Sequence, residues 1–124
     1  MRFSWEHYLD VAEELLAAAG DELAEARWRS AASRAYYAAF GGCVAFLARR
    51  SQRVDAGVAG VHEQVIDAFA RHPSRGWQIV AGELRDLRRV RITADYHDAS
   101  AFTAVRARDS AAAARQLLAD LRRI

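Results

Sequence analysis

The sequence predicts an all-α fold, an antiparallel bundle of four or five helices, and three observations carry that reading. Alanine dominates a composition that is 52% hydrophobic and 27% charged, and alanine enters a helix without losing side-chain entropy. Apolar residues recur at three- and four-residue steps through most of the chain, the spacing of one helix face. No stretch alternates with period two long enough to make a strand. At 124 residues with one proline, residues 1–124 read as a single domain large enough to bury most of its apolar surface.

Ser4 before "WEHYLDVAEELLAAAG" reads as the N-cap of a first helix, with acids in the early turns and Gly20 as its stop. A longer helix follows from Asp21 to about Arg50, where Ser33, Tyr37, Phe40, Val44 and Leu47 share one stripe. Gly41 and Gly42 interrupt it at a cost of roughly 1 kcal/mol each against alanine, which predicts a close helix crossing there. "SQRVDAGVAG" has no regular period and reads as a loop. Val61, Val65, Ala68 and Phe69 form the buried side of a third helix that ends before Pro73. A fourth starts near Gly76 and carries Trp77, Val80, Leu84, Leu87 and Ala94 inward. Residues 103–123 make an alanine-rich last helix with Val105, Leu117, Leu118 and Leu121 on its apolar face.

Several function classes lose support on composition alone. No run approaches eighteen apolar residues, and the acidic N-terminus lacks the apolar centre of a signal peptide, so the expectation is a cytoplasmic protein without a membrane span. Cys43 is the single cysteine and lies in an apolar helical stretch, where a packed thiol is expected. No HExxH, CxxC, Walker loop or GxGxxG occurs, so neither a metal nor another cofactor is expected. The net charge of +2 is small, but it is unevenly spread. Residues 1–25 hold one arginine against seven acids, and all eighteen basic residues are arginine. Arg85, Arg88, Arg89 and Arg91, with Arg122 and Arg123 at the C-terminus, mark candidate basic surface.

The most informative stretch is "LRRVRITADYH". At 100° per residue, Arg91 lies about 20° from Val80 and Leu84 and about 40° from Leu87, inside the apolar stripe. Asp95, four residues on, shares that side and can reach the guanidinium, whereas Arg89 falls nearly opposite and Arg88 flanks the stripe. Two readings fit this spacing. One is a structural ion pair in a bundle seam; the other is an arginine lining a polar cleft and poised for a phosphate. Ser33 and Tyr37 add hydroxyls to the facing stripe, and His97 ends the helix with an imidazole suited to proton transfer near neutral pH.

"WRSAASRAYYAAF" on a long helix, a helix opening with His62, then "LRDLRRVRITADY" and an alanine-rich closing helix together resemble the HEPN superfamily of small prokaryotic helical bundles. The resemblance covers nearly the whole chain, and the pairing of "SRAYYAAF" with "RxxADY" is similar to short stand-alone members. It implies a HEPN-like homodimer whose fourth helices meet. It further implies a metal-independent endoribonuclease in which Arg91 and His97, with five residues between them, act on RNA, with Asp95, Tyr96, Ser33, Tyr37 and Arg88 in support. Toxin–antitoxin and phage-defence roles, with a nucleotidyltransferase-type antitoxin as partner, belong to the same implication. Ile92 stands where active members often carry a polar residue, and Tyr96 occupies the four-residue spacing. These departures leave open a second reading, a non-catalytic interaction module that binds a nucleotidyltransferase or nucleotide and keeps Arg91 and Asp95 as a structural pair.

Overall fold

In the computed structural model, which describes residues 3–18 and 20–124, five helices follow one another: α1 Glu6–Ala17, α2 Ala24–Arg49, α3 Val61–Ala70, α4 Arg75–Tyr96 and α5 Ala104–Arg123. The described residues contain no strand, as the missing period-two pattern predicts. No helix among them is long and apolar enough to cross a membrane.

The long α2 is the central element and packs against α1, α4 and α5, while α3 lies chiefly on α4. Paired residues fix the directions. Arg115 of α5 reaches Glu13 of α1 at 2.6 Å, and Arg122, one end further on, pairs with Glu6, so α1 and α5 run antiparallel. Ser33 meets Asp95 near the start of α2, whereas Phe46 meets Trp77 near its end, so α2 and α4 are also antiparallel. The core takes Leu9 and Ala12 from α1, Ala35, Tyr36, Ala39, Cys43, Phe46 and Leu47 from α2, and Val65 and Phe69 from α3. Val80, Leu84 and Leu87 of α4 and Ala114 and Leu117 of α5 complete it. Phe46, Phe69 and Trp77 close one end as a trio with centroids 5.1–5.5 Å apart, within the range that favours edge and tilted aromatic pairs.

The crossing predicted from Gly41 and Gly42 is present. A side chain at Gly41 would run into the Trp5 indole, and one at Gly42 would meet the end of Leu118. Cys43 is fully buried, and loss of solvation pushes its thiol pKa up, so it remains a packed, protonated group.

Three local expectations are corrected. Ser4 does not cap α1: Trp5 occupies the cap position without a side-chain cap bond, and Ser4 instead gives its carbonyl to the His7 amide. Val105 is 59% exposed, and the apolar anchor of that end is Phe102, buried with Ala32, Ala94 and Ala107. The reason is register, because the extended Thr103 starts α5 and accepts the Arg106 amide on its hydroxyl, which turns Val105 outward. The stripe read on α2 is rotated as well. Ser33, Tyr37 and Val44 lie on the flank, and the deepest line runs through Ala32, Ala35, Tyr36, Ala39 and Cys43.

Candidate functional site

Where α2 packs on the last turns of α4, beside the start of α3, most of the polar residues singled out in the sequence come together. Arg91 lies among them with a side chain 15% exposed. Its Nε donates to Asp95 Oδ2 at 2.8 Å and its Nη2 to the Tyr96 hydroxyl at 3.3 Å. The guanidinium carbon sits 5.1 Å from the Tyr37 ring centroid and 5.3 Å from that of Tyr96, so two aromatic faces flank the cation. Ser33 donates its hydroxyl to the same Asp95 oxygen at 3.2 Å, which joins α2 to the ion pair. Burial disfavours the charged guanidinium, but Tyr37, Asp95 and Tyr96 more than offset it and hold the Arg91 pKa above its usual value. Nη1 makes no hydrogen bond among the described residues and remains free to donate.

Helical spacing on α4 sets Arg91 beside Asp95, the packing of α2 on α4 brings Ser33 and Tyr37 to them, and Tyr96, 66% exposed, joins from the outer side. Arg88 is more engaged than a surface charge. Its Nη1 meets Glu63 Oε1 at 2.9 Å and ties α4 to the first turn of α3. His97 is the C-cap of α4, and its backbone is well held: the amide donates to the Thr93 carbonyl at 3.1 Å and its own carbonyl accepts from Arg29. Its imidazole is exposed and makes no hydrogen bond, ion pair or ring contact with Arg91 or any other described residue.

Two important residues, Arg29 and Tyr36, escaped the sequence reading, and His62, named there only as the opening of a helix, gains a partner. Arg29 reaches across from α2 and donates to four carbonyls at the end of α4: Thr93 at 3.2 Å, Ala94 at 2.9 Å, His97 at 3.2 Å and Ser100 at 2.5 Å. Helix C-termini leave such carbonyls without partners and favour a cation, so Arg29 clamps the segment that carries Asp95, Tyr96 and His97. Tyr36 is fully buried, and its hydroxyl lies 2.5 Å from Nδ1 of His62. His62 packs on Phe40 with centroids 4.6 Å apart, and its ring centroid is 6.3 Å from that of Tyr37. The doubled tyrosine in "SRAYYAAF" was the available signal, because the two rings point to different neighbours. Arg29 offered none, since its acceptors are 64–71 residues away in the chain.

Burial first, then the charges of Arg88 and Arg91, lower the His62 pKa below the usual histidine value, with Glu63 opposing. Among the described residues no group of three or more His, Cys, Asp or Glu side chains is placed to hold a metal ion. The arrangement instead offers a fixed guanidinium with a free edge, a second arginine nearby, and hydroxyl and imidazole groups around them.

No curated protein and no solved structure matches the chain. The family model described as HEPN domain matches residues 5–124, and this coverage, together with the five-helix bundle, shows that the chain belongs to the HEPN family, whose general role is nucleotide- or RNA-related.

Proposed function

We propose that residues 1–124 act as one HEPN-like domain, a metal-independent endoribonuclease that works as a cytoplasmic homodimer and uses Arg91 and His97. The observation that supports this most is the state of Arg91. Asp95, Tyr37 and Tyr96 orient the guanidinium but engage only Nε and Nη2, so Nη1 is preorganised for a phosphate oxygen. In the cleavage step the ribose 2′-oxygen attacks the adjacent phosphorus while the bond from phosphorus to the 5′-oxygen breaks. The 2′-hydroxyl proton passes to a base and the leaving 5′-oxygen gains one. Arg91 stabilises charge on the phosphorane, and the exposed His97 imidazole supplies or accepts a proton. Pairing of two fourth helices would bring two copies of "RITADYH" to one cleft and provide a neighbour that His97 does not have among the described residues of its own protomer. A toxin or phage-defence role, restrained by a nucleotidyltransferase-type antitoxin, fits such an activity.

The Arg91–Asp95 bond favours a second reading, in which the pair is structural and the domain binds a nucleotidyltransferase or nucleotide without cleaving RNA. Cleavage of labelled RNA in excess EDTA, with solution mass measured on the same sample, separates the two. The enzyme reading requires a dimer, a 2′,3′-cyclic phosphate product, and loss of activity in His97→Ala. A folded wild-type dimer that leaves RNA intact refutes it in favour of the binding module.

A further inference from the structure

We infer that His62 extends the Arg91 site as a neutral hydrogen-bond donor to a phosphate oxygen of bound RNA, with its donating nitrogen fixed by the buried hydroxyl of Tyr36. This inference rests on the reading of Arg91 as a phosphate-binding residue. It begins from hydrogen-bond accounting. The Tyr36 hydroxyl is fully buried, and its partner among the described residues is Nδ1 of His62. Leaving a buried hydroxyl proton without an acceptor costs about 1–3 kcal/mol. If Nδ1 carried the ring proton and donated to the tyrosine oxygen, the hydroxyl proton would have nowhere to go. The satisfied arrangement has the tyrosine donating and Nδ1 accepting, which puts the proton of the neutral ring on Nε2.

Two electrostatic facts keep both partners in the required state. Loss of solvation pushes the Tyr36 pKa up, so the phenol keeps its proton. Burial and the two neighbouring arginines push the His62 pKa down, so the imidazole stays neutral at neutral pH. Nδ1 and Nε2 lie on opposite sides of the ring. With Nδ1 turned to a fully buried partner and the histidine itself only half-buried, Nε2 faces the open side.

His62 is also a neighbour of Arg91, whose charge acts on it. Tyr37 links the two groups, with its ring 5.1 Å from the Arg91 guanidinium carbon and 6.3 Å from the His62 ring. The Arg88–Glu63 bridge at 2.9 Å holds the start of α3, and therefore His62, against α4. Phe40 supports the ring from the core side. A backbone phosphate at Nη1 of Arg91 would thus have a neighbour able to receive the Nε2–H of His62, giving the strand a second fixed point. His62 is a binding residue in this account, and Tyr36 is a positioning residue acting through it.

The test uses the full chain and a short fluorescein-labelled 2′-O-methyl RNA, which binds without being cut, with anisotropy as the binding readout. His62→Phe keeps the stacked ring and removes the donor, and it should weaken binding about tenfold, the loss of one hydrogen bond to an anion. His62→Gln restores an N–H and should recover most of that loss. Nitrogen-15 spectra should show the proton on Nε2 in the wild type and a mixture of tautomers in Tyr36→Phe, a change that a purely packing role would not produce. If Arg91→Ala weakens binding but folded His62→Phe binds like the wild type, the assignment of His62 is wrong and the Arg91 site stands. A wild-type ring protonated on Nδ1 also refutes it. If Arg91→Ala binds like the wild type, the phosphate site is refuted and the role of His62 with it.

Discussion

Arg29→Met should loosen the end of α4 while leaving the rest of the bundle intact. Methionine keeps an unbranched stem beside Phe102, over which the guanidinium lies at 5.6 Å, but it removes all four donations to the Thr93, Ala94, His97 and Ser100 carbonyls. A hydrogen bond from a charged donor is worth roughly 1.5–3 kcal/mol. These four share one guanidinium, and water can partly replace the donor at their rim, so the combined loss is about 2–4 kcal/mol. The ion pair with Glu25 adds little, because that carboxylate is 48% exposed. For a domain of this size the loss corresponds to a Tm decrease of about 8–15 °C. Thermal melts followed by circular dichroism give the stability, and amide hydrogen exchange locates the change. Exchange should accelerate from Thr93 to Ser100 and remain slow around Leu84 and Cys43. A Tm within about 2 °C of wild type, with unchanged exchange at 93–100, would refute the clamp.

The two helix-interior glycines should part company. Gly41→Ala must displace the Trp5 indole and should destabilise by about 1–2 kcal/mol in urea melts, the overpacking cost less the gain in helix propensity. Gly42→Ala meets the far end of the Leu118 side chain, with Leu121 at ordinary contact distance, and should fall within about 0.5 kcal/mol of wild type. Burial, the hydrogen bond with Asp120 and the Asp120 charge push the Glu83 carboxyl up to about 7, with Arg123 opposing. The folded state therefore holds a proton that the unfolded chain releases near 4.5. The stability from this group is full below about pH 4.5 and is lost as pH rises through about 7. Melting temperatures from pH 5 to 8 should show this fall in the wild type, and Glu83→Gln should remove it. The lowered His62 pKa contributes the opposite slope, since it favours the folded state as pH rises, and it is common to both proteins.

Local spacing explains why some of this was readable from the chain. Arg91 and Asp95 are four residues apart on one helix, so the geometry that forms the helix also forms the pair. The glycine doublet announced a crossing because a helix tolerates two such residues only where something occupies the missing side chains. Tyr36 and His62 are separated by 26 residues, and nothing in either segment names the other. Their contact depends on how α3 settles against α2 and α4, a tertiary outcome beyond the reach of periodicity. The Arg29 clamp is hidden for the same reason, at still greater separation. Val105 failed differently: an apolar residue in the first turn fits either face until the Thr103 cap fixes the register. Ser4 is a favourable cap by residue type, but Trp5 holds the cap position and α1 begins at Glu6.

The central claim is that Arg91 contacts a reacting phosphate and is not merely the partner of Asp95. The most direct test is the single-turnover rate of RNA cleavage in excess EDTA by wild type and by Arg91→Ala, each verified as folded and dimeric. Loss of one preorganised donor to a developing anion predicts a rate lower by about 100-fold or more. An Arg91→Ala protein that cleaves at the wild-type rate would contradict the account and leave the arginine as half of a structural ion pair.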